Sequence, residues 1–134
     1  MNTAVLKYEN NFIKISDFLY HQNDIYYNTD FNIEVRSGSF CGIAPCEYDI
    51  KDFKIFVEEL IEMYNFKRKN VTLIEICYGS EVNFEADKTG HITISGEIFG
   101  QGMEHSLKFS FISDQTALKP FIDQLKMLIK NVNN

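Results

Sequence analysis

One stretch of the chain, DIKDFKIFVEELIEMYNF at residues 49–66, constrains the fold more than any other. Its apolar residues recur every three or four positions, which places them on one face of an α-helix: Phe53, Phe56, Val57, Leu60 and Tyr64. Asp49 is a favourable N-cap residue, and Asp52 puts a carboxylate in the first turn, where the helix dipole favours it. The stretch therefore predicts an amphipathic helix near the middle of a chain of 134 residues.

Segments in which apolar and polar residues alternate lie before this helix, as expected for half-buried β-strands. They predict strands at 4–8, 12–20, 31–36 and 40–44. The second strand changes phase before Phe18, and a short Ser-Gly-Ser turn joins the third and fourth strands in a predicted hairpin. Pro45 is expected to end the fourth strand, because proline has no N–H to donate to a sheet.

A second group of strands and a second helix follow. Strands are predicted at 71–78, 81–86, 92–98 and 107–111, with Gly96 marking a bulge. The helix is predicted over 116–131, capped by Asp114 or Thr116, with Pro120 tolerated only near its first turn. Short connections favour antiparallel pairing. We therefore expect one α+β domain over residues 1–134: an antiparallel β-sheet of about seven or eight strands with two helices, in the order β-rich half, helix, β-rich half, C-terminal helix.

Charge and cysteine content narrow the classes of function. The chain has 13 Lys and Arg against 19 Asp and Glu, a net charge of −6, which argues against direct binding of nucleic acid through phosphate neutralisation. Its three cysteines, Cys41, Cys46 and Cys77, form no paired framework and indicate reduced thiols. We expect no secretion signal, because the first residues reach a charge at Lys7 without a long apolar core, and no segment approaches the ~20 apolar residues of a membrane span. We therefore expect a cytoplasmic protein with no membrane partner.

No combination of residues predicts catalysis, a metal site or a cofactor site. The histidines His21, His91 and His105 each lie in or beside a predicted turn, and none belongs to a general-base motif. Cys41 and Cys46 have four residues between them and no histidine nearby, which is not zinc-ligand spacing. We therefore expect a protein that is not an enzyme.

The outward side of the first helix is the candidate partner-binding surface. It carries two apolar residues among three acids, here called the acidic face: Ile55, Glu58, Glu59, Glu62 and Phe66. An apolar centre rimmed by charge is typical of protein interfaces. In the alternative interpretation, a loop or the N-terminal strands cover Ile55 and Phe66, and the acids are a solvated helix surface. The outward side of the second helix carries mainly the opposite charge, at Lys119, Lys126 and Lys130, with Asp123 among them.

Four stretches resemble the small immunity proteins encoded beside bacterial polymorphic toxins, in particular the WapI-like family. They are FNIEVRSGSFCGIA, DIKDFKIFVEELIEMY, FEADKTGHITISGEIF and FSFISDQTALKPFIDQL, which lie in the chain beyond residue 30. The resemblance implies a cytosolic protein that binds and blocks a cognate protein toxin, commonly a nuclease. It implies no catalytic residues in this chain.

Two other classes of function stay open at this stage. A secretion-chaperone-like dimer is also small, acidic and α+β, and it would present a groove to an extended peptide. A small enzyme or ligand-binding domain would use an aromatic pocket, which predicts a deep cavity containing Tyr26, Tyr27 or Tyr78. The sequence is compatible with a monomer or a homodimer.

Overall fold

In the computed structural model of the chain, which describes residues 2–22 and 27–132, the same order of elements occurs twice: four antiparallel strands and then a helix. The first half comprises β1 (Ala4–Tyr8), β2 (Asn11–Tyr20), β3 (Thr29–Ser37), β4 (Phe40–Tyr48) and α1 (Ile50–Tyr64). The second comprises β5 (Asn70–Ile74), β6 (Glu81–Ala86), β7 (His91–Phe99), a 3₁₀ turn at Gln101–Met103, β8 (Ser106–Asp114) and α2 (Gln115–Val132). The predicted α+β class, antiparallel pairing and element order are confirmed, and the eight strands divide equally between two sheets.

Side chains from elsewhere in the fold hold both ends of α1. At its start, Asp49 Oδ1 accepts the N–H of Lys51 at 2.7 Å, and Oδ1 of the buried Asn28 accepts the N–H of Ile50 at 2.9 Å. At its end, Gln115 Nε2 donates to the carbonyl of Tyr64 at 2.9 Å. The first N–H groups and last carbonyls of a helix have no partner within it. These bonds therefore satisfy α1 and fix its position against both halves.

The buried side of α1 joins the two sheets through a chain of aromatic rings. Phe53 lies against Phe18 of β2, with ring centroids 4.9 Å apart. Phe56 contacts Phe84 of β6 at 5.8 Å, and Phe84 continues to Phe121 of α2 at 6.4 Å. The predicted inner face of α1 is accordingly buried at Phe53, Phe56, Val57 and Leu60, and Tyr64 is partly buried.

Each helix packs against the first strand of the other half. α2 lies along β1, where Gln124 Oε1 accepts the N–H of Val5 at 2.8 Å, and α1 lies along β5. β1 and β5 are edge strands of their sheets. An uncovered edge presents unpaired N–H and C=O groups. The crossed arrangement therefore protects two edges and ties the halves together.

Two strands end four residues away from the predicted position. β4 continues through Pro45, which lies opposite Asn32, as far as Tyr48. Because β4 is an edge strand, a missing N–H can be tolerated there without interrupting the interior of the sheet. β5 ends at Ile74 and not at Tyr78, because residues 75–80 turn back before β6 begins.

Of the two irregularities predicted within the strands, one is confirmed and the other is wrong. The change of phase in β2 is confirmed by a shift of register between Ser16 and Leu19. Gly96 does not mark a bulge, since β7 pairs without interruption with β6 and β8 through this residue. Gly96 instead permits a close approach of backbones, because a Cβ at this position would overlap the carbonyl oxygen of Glu81.

α2 begins one residue earlier than predicted. Asp114 Oδ1 accepts the N–H of Ala117 at 3.1 Å and caps the helix, which starts at Gln115. The sequence predicted Pro120 near the first turn of the helix. In the structure it lies in the second turn. It supplies no N–H to the carbonyl of Thr116 there, and the buried stripe of α2 compensates for the missing bond.

Replacing Gly96 by alanine should destabilise the fold by about 3 kcal/mol or more, since the new Cβ meets backbone that cannot rotate away. Gly102→Ala is the matched control: its φ is also positive, at +77°, but nothing lies within 4 Å of the new atom. That variant should lose only about 1 kcal/mol. Urea denaturation measures the unfolding free energy of both variants. Equal losses of stability would contradict the close approach of backbones at Gly96.

Candidate functional site

Both apolar residues of the acidic face are exposed in the described structure, Ile55 to 50% and Phe66 to 68%. Ile55, Glu59 and Glu62 follow the spacing i, i+4 and i+7 and form one stripe along α1. Glu58 is exposed beside the stripe, and Phe66 lies just beyond the helix end. The alternative interpretation, in which described strands or loops cover Ile55 and Phe66, is therefore wrong.

Arg68 neutralises part of the negative charge of the acidic face. Its Nε lies 3.0 Å from Glu62 Oε1, and its Nη1 lies 3.6 Å from Glu59 Oε2. These pairs are partly exposed, so each contributes at most about 1 kcal/mol to stability. Two of the three predicted acids are thus paired, and Glu58 has no ion pair within the described residues.

Phe66 ends α1 in a left-handed backbone conformation, with φ of 61°. Its N–H donates to the carbonyl of Met63 at 3.1 Å, and the N–H of Lys67 donates to the carbonyl of Glu62 at 2.8 Å. This pair of bonds is the Schellman motif, in which glycine is the usual residue, because a side chain costs about 1 kcal/mol there. Helix termination therefore does not account for an exposed aromatic residue at this position.

A groove adjoins the acidic face between α1, the end of β4 and the end of β5, here called the α1–β5 groove. Its two lobes share Tyr48, Asp52 and Ile74. The lobe along α1 adds Ile55, Phe56, Glu59 and Thr72, and the lobe toward the helix start adds Tyr27, Glu47, Asp49 and Ile76. The lobe toward the helix start has a volume of about 270 Å³, below the ~300–1,000 Å³ of typical small-molecule sites.

Exposed isoleucines and carboxylates line the α1–β5 groove. Ile74 is 53% exposed and Ile76 is 67% exposed, although both are large and apolar. The carboxylates around them are Glu47, Asp49, Asp52 and Glu59. The described lining contains no lysine or arginine. The groove therefore combines an apolar floor with a single sign of charge.

A buried carboxylate fixes the turn that carries Ile76. The Glu75 side chain is inaccessible to solvent, and its Oε1 accepts the N–H groups of Tyr78 and Gly79 at 2.7 and 3.2 Å. Its Oε2 accepts the N–H of Glu47 at 2.9 Å, which links the turn to β4. A buried charge is tolerated only when hydrogen bonds satisfy it. Glu75 therefore holds the shape of the groove.

The thiols and phenol near the groove are poor nucleophiles. Burial, reinforced by the Glu75 carboxylate, raises the pKa of the Cys46 thiol. Cys77 is exposed, but partial desolvation and a hydrogen bond to Glu47 raise its pKa to about 11. Burial and the nearby Asp52 carboxylate raise the pKa of Tyr48 to about 12. Activated catalytic groups have the opposite shift.

The histidines, which the sequence did not predict to be catalytic, lie apart from one another in the described structure. His21 contacts Asp30, with Nε2 2.6 Å from Oδ2, and His91 lies near Asp87, both at half-exposed positions. Within residues 2–22 and 27–132, no group of three or more His, Cys, Asp or Glu side chains could hold a metal ion. Tyr78 lines a separate surface depression, and Tyr26 lies outside the described residues.

Comparison with known families decides the class of protein. The model of the immunity protein WapI-like family matches residues 4–133, nearly the whole chain. The chain belongs to this family. It is therefore an immunity protein, and the predicted resemblance is confirmed.

Other comparisons add little to the family assignment. No curated protein sequence matches this immunity protein. Among solved structures, it is similar to a chain of the crystal structures of Trypanosoma bruciei MRP1/MRP2, with 8% identity, a TM-score of 0.49, and coverage of 98% of this chain and 86% of that chain. A similarity of this size supports no conclusion about function. In the described ranges, no helix has the length and apolarity needed to cross a bilayer.

Sequence patterns alone did not reveal the groove of the immunity protein. The sequence predicts Ile74 and Ile76 in one strand with Tyr78, whereas the structure puts Ile74 at the end of β5 and Ile76 in a turn. A signal was present, because Glu75 places a charge between two isoleucines and Gly79 supplies a turn residue soon after. The anchoring role of Asn28 had no comparable local signal.

Removing the buried carboxylate should destabilise the turn of the immunity protein. Glu75→Gln puts an amide N–H₂ against backbone donors, and Glu75→Ala leaves those donors without an acceptor. Each should cost about 1–3 kcal/mol in unfolding free energy, with faster hydrogen exchange at the Tyr78 and Glu47 amides. Glu85→Gln, at an exposed position of β6, is the control and should change stability by less than about 0.5 kcal/mol. Unchanged exchange in both Glu75 variants would refute the anchoring role.

Proposed function

We propose that this immunity protein neutralises a cognate bacterial toxin by direct protein–protein contact, and that the toxin is a nuclease. The observation that carries the proposal is the exposed surface on and beside α1, where apolar side chains lie among carboxylates. Such a surface fits the anatomy of a protein interface, with an apolar core and a polar rim. Membership of an immunity family supports the same function.

The proposed mode of inhibition is occlusion of the toxin's substrate-binding surface. A nuclease presents positive charge to the phosphate backbone, and an acidic protein competes for that charge. The net charge of −6 would also speed association through electrostatic steering, most strongly at low ionic strength. Inhibition by this route needs no catalytic group, metal or cofactor in the immunity protein. It would take place in the cytoplasm, where the producing cell meets its own toxin.

The proposed contacts are the five residues of the acidic face: Ile55, Glu58, Glu59, Glu62 and Phe66. Ile55 and Phe66 would supply buried apolar contact area, and the glutamates would meet cations of the toxin. Arg68 modifies this picture, because Glu59 and Glu62 already share its charge. A basic side chain of the toxin would therefore replace or join Arg68 at these glutamates, while Glu58 is available without such competition.

Co-expression tests the proposed function directly. Cells that express the toxin encoded beside this gene should die, and cells that also express the immunity protein should grow. The purified toxin should lose its nuclease activity when the immunity protein is added in equimolar amount. Equal killing with and without the immunity protein would refute neutralisation, and protection without loss of nuclease activity would refute the nuclease assignment.

Phe66→Gly separates stability from binding. Glycine relieves the left-handed strain at this position and should stabilise the fold by about 1 kcal/mol, while loss of the ring should weaken toxin binding. Met103→Gly is the matched control, because Met103 is also exposed and has a φ of 60°. It should gain similar stability and bind the toxin as the wild type does. Thermal denaturation and titration calorimetry provide the two measurements, and unchanged affinity of Phe66→Gly would remove Phe66 from the interface.

A further inference from the structure

We propose that the α1–β5 groove is the centre of the toxin-binding surface, and that it takes an apolar side chain of the toxin flanked by lysine or arginine. This inference rests on the proposed function and extends the acidic face across Ile55 and Glu59 to β5 and the turn at 75–80. Both of those residues belong to the groove as well as to the face. The surface is therefore continuous.

The apolar part of the groove argues for an inserted side chain. Ile55, Ile74 and Ile76 are each at least half exposed and lie around the rings of Tyr48 and Tyr27. On the outer side of the second sheet the neighbours of Ile74 are polar, since Thr72 Oγ1 donates to Asn83 Oδ1 there. Core packing therefore does not explain an isoleucine at position 74. Covering these side chains removes apolar surface from water, which is the main source of binding free energy.

The charge of the groove selects the chemistry of that partner. Asp49 is occupied in capping α1, and Glu59 shares Arg68, but both still contribute negative potential to the rim. Asp52 and Glu47 form no ion pair within the described residues, and they lie around the same lobe as Tyr48. A partner with carboxylates at this rim would meet like charge, whereas lysine or arginine beside its apolar residue would find compensation.

The rigidity of the groove also favours binding. Glu75 fixes the turn at 75–80 to β4, and Asn28 with Asp49 fixes the start of α1. Walls that are already ordered lose little conformational entropy when a partner binds. With about 270 Å³ in one lobe, the site fits a side chain or two better than a cofactor.

A second exposed apolar groove provides a contrast. It lies between β4 and the β7–β8 connection and includes Phe40, Ile43, Leu107 and His105, with no carboxylate in its lining. It has similar volume but lacks the charge that would recognise a basic toxin. Its exposed isoleucine therefore serves as a control.

The apolar half of the inference is tested by measuring affinity for the toxin domain encoded beside this gene. Ile74→Ser and Ile76→Ser should each weaken binding by about tenfold or more, because both side chains are expected at the interface centre. The controls are Ile112→Ser, on the same face of the second sheet but on β8, and Ile43→Ser in the contrasting groove. Both controls are comparably exposed and should bind within about twofold of the wild type.

The charged half is tested through the association rate at low and high salt. Glu47→Gln with Asp52→Asn should slow association by about tenfold at low ionic strength, and the difference should shrink as salt is added. Glu85→Gln with Glu104→Gln removes the same charge from exposed positions outside the groove and should have a smaller effect. Circular dichroism and the unfolding midpoint confirm that each variant is folded.

The outcomes separate the two proposals. If the wild type binds the toxin and the groove variants bind equally well, the groove is not the interface, and the proposed function stands. If the Ile43→Ser control alone loses affinity, the interface lies at the contrasting groove. If the folded wild type does not bind the toxin at all, the proposed function fails, and the groove inference fails with it.

Discussion

The burial of Phe53 and Phe56 on one side of α1 is the interaction on which the rest of the structure depends. Phe53 packs on the rings of the first sheet and Phe56 on Phe84 of the second, so one helix contributes to both halves of a continuous core. Large aromatic side chains supply much of the burial energy of a domain of this size. Orienting these two rings inward also determines which residues of α1 point outward. The exposed surface is therefore a consequence of the core.

The ends of α1 convert that orientation into a defined surface. Asn28 and Asp49 satisfy its first N–H groups, while Gln115 bonds its last carbonyl from the start of α2. The two hydrogen bonds of the Schellman motif then place Phe66 at the helix end. The helix is thus held at both ends by other parts of the fold. A helix restrained in this way presents its outer stripe and the adjoining groove with little freedom to reorganise.

The sequence predicted the features that depend on local periodicity and missed those that depend on distant partners. The helical spacing from Phe53 to Leu60, the Asp49 cap and the phase change before Phe18 are all readable within a few residues, and the structure confirms them. The division of the strands into two sheets depends on which strands pair with each other, and no local pattern contains that information. The groove was missed for a similar reason. Ile74 and Ile76 continue a strand-like alternation, but the buried Glu75 bonds to β4 and turns the chain between them.

Charge distinguishes two halves that otherwise share the same order of elements. The outer side of α1 and its groove carry carboxylates, whereas α2 exposes Lys119, Lys126 and Lys130, with Lys119 bound to Asp123 at 2.8 Å. Net charge alone would attract a basic partner to the molecule without selecting a side of it. The unequal distribution would turn α1 toward such a partner and α2 away from it. The same helix that joins the two sheets through its buried rings is therefore the one whose outer side we propose as the contact with the toxin.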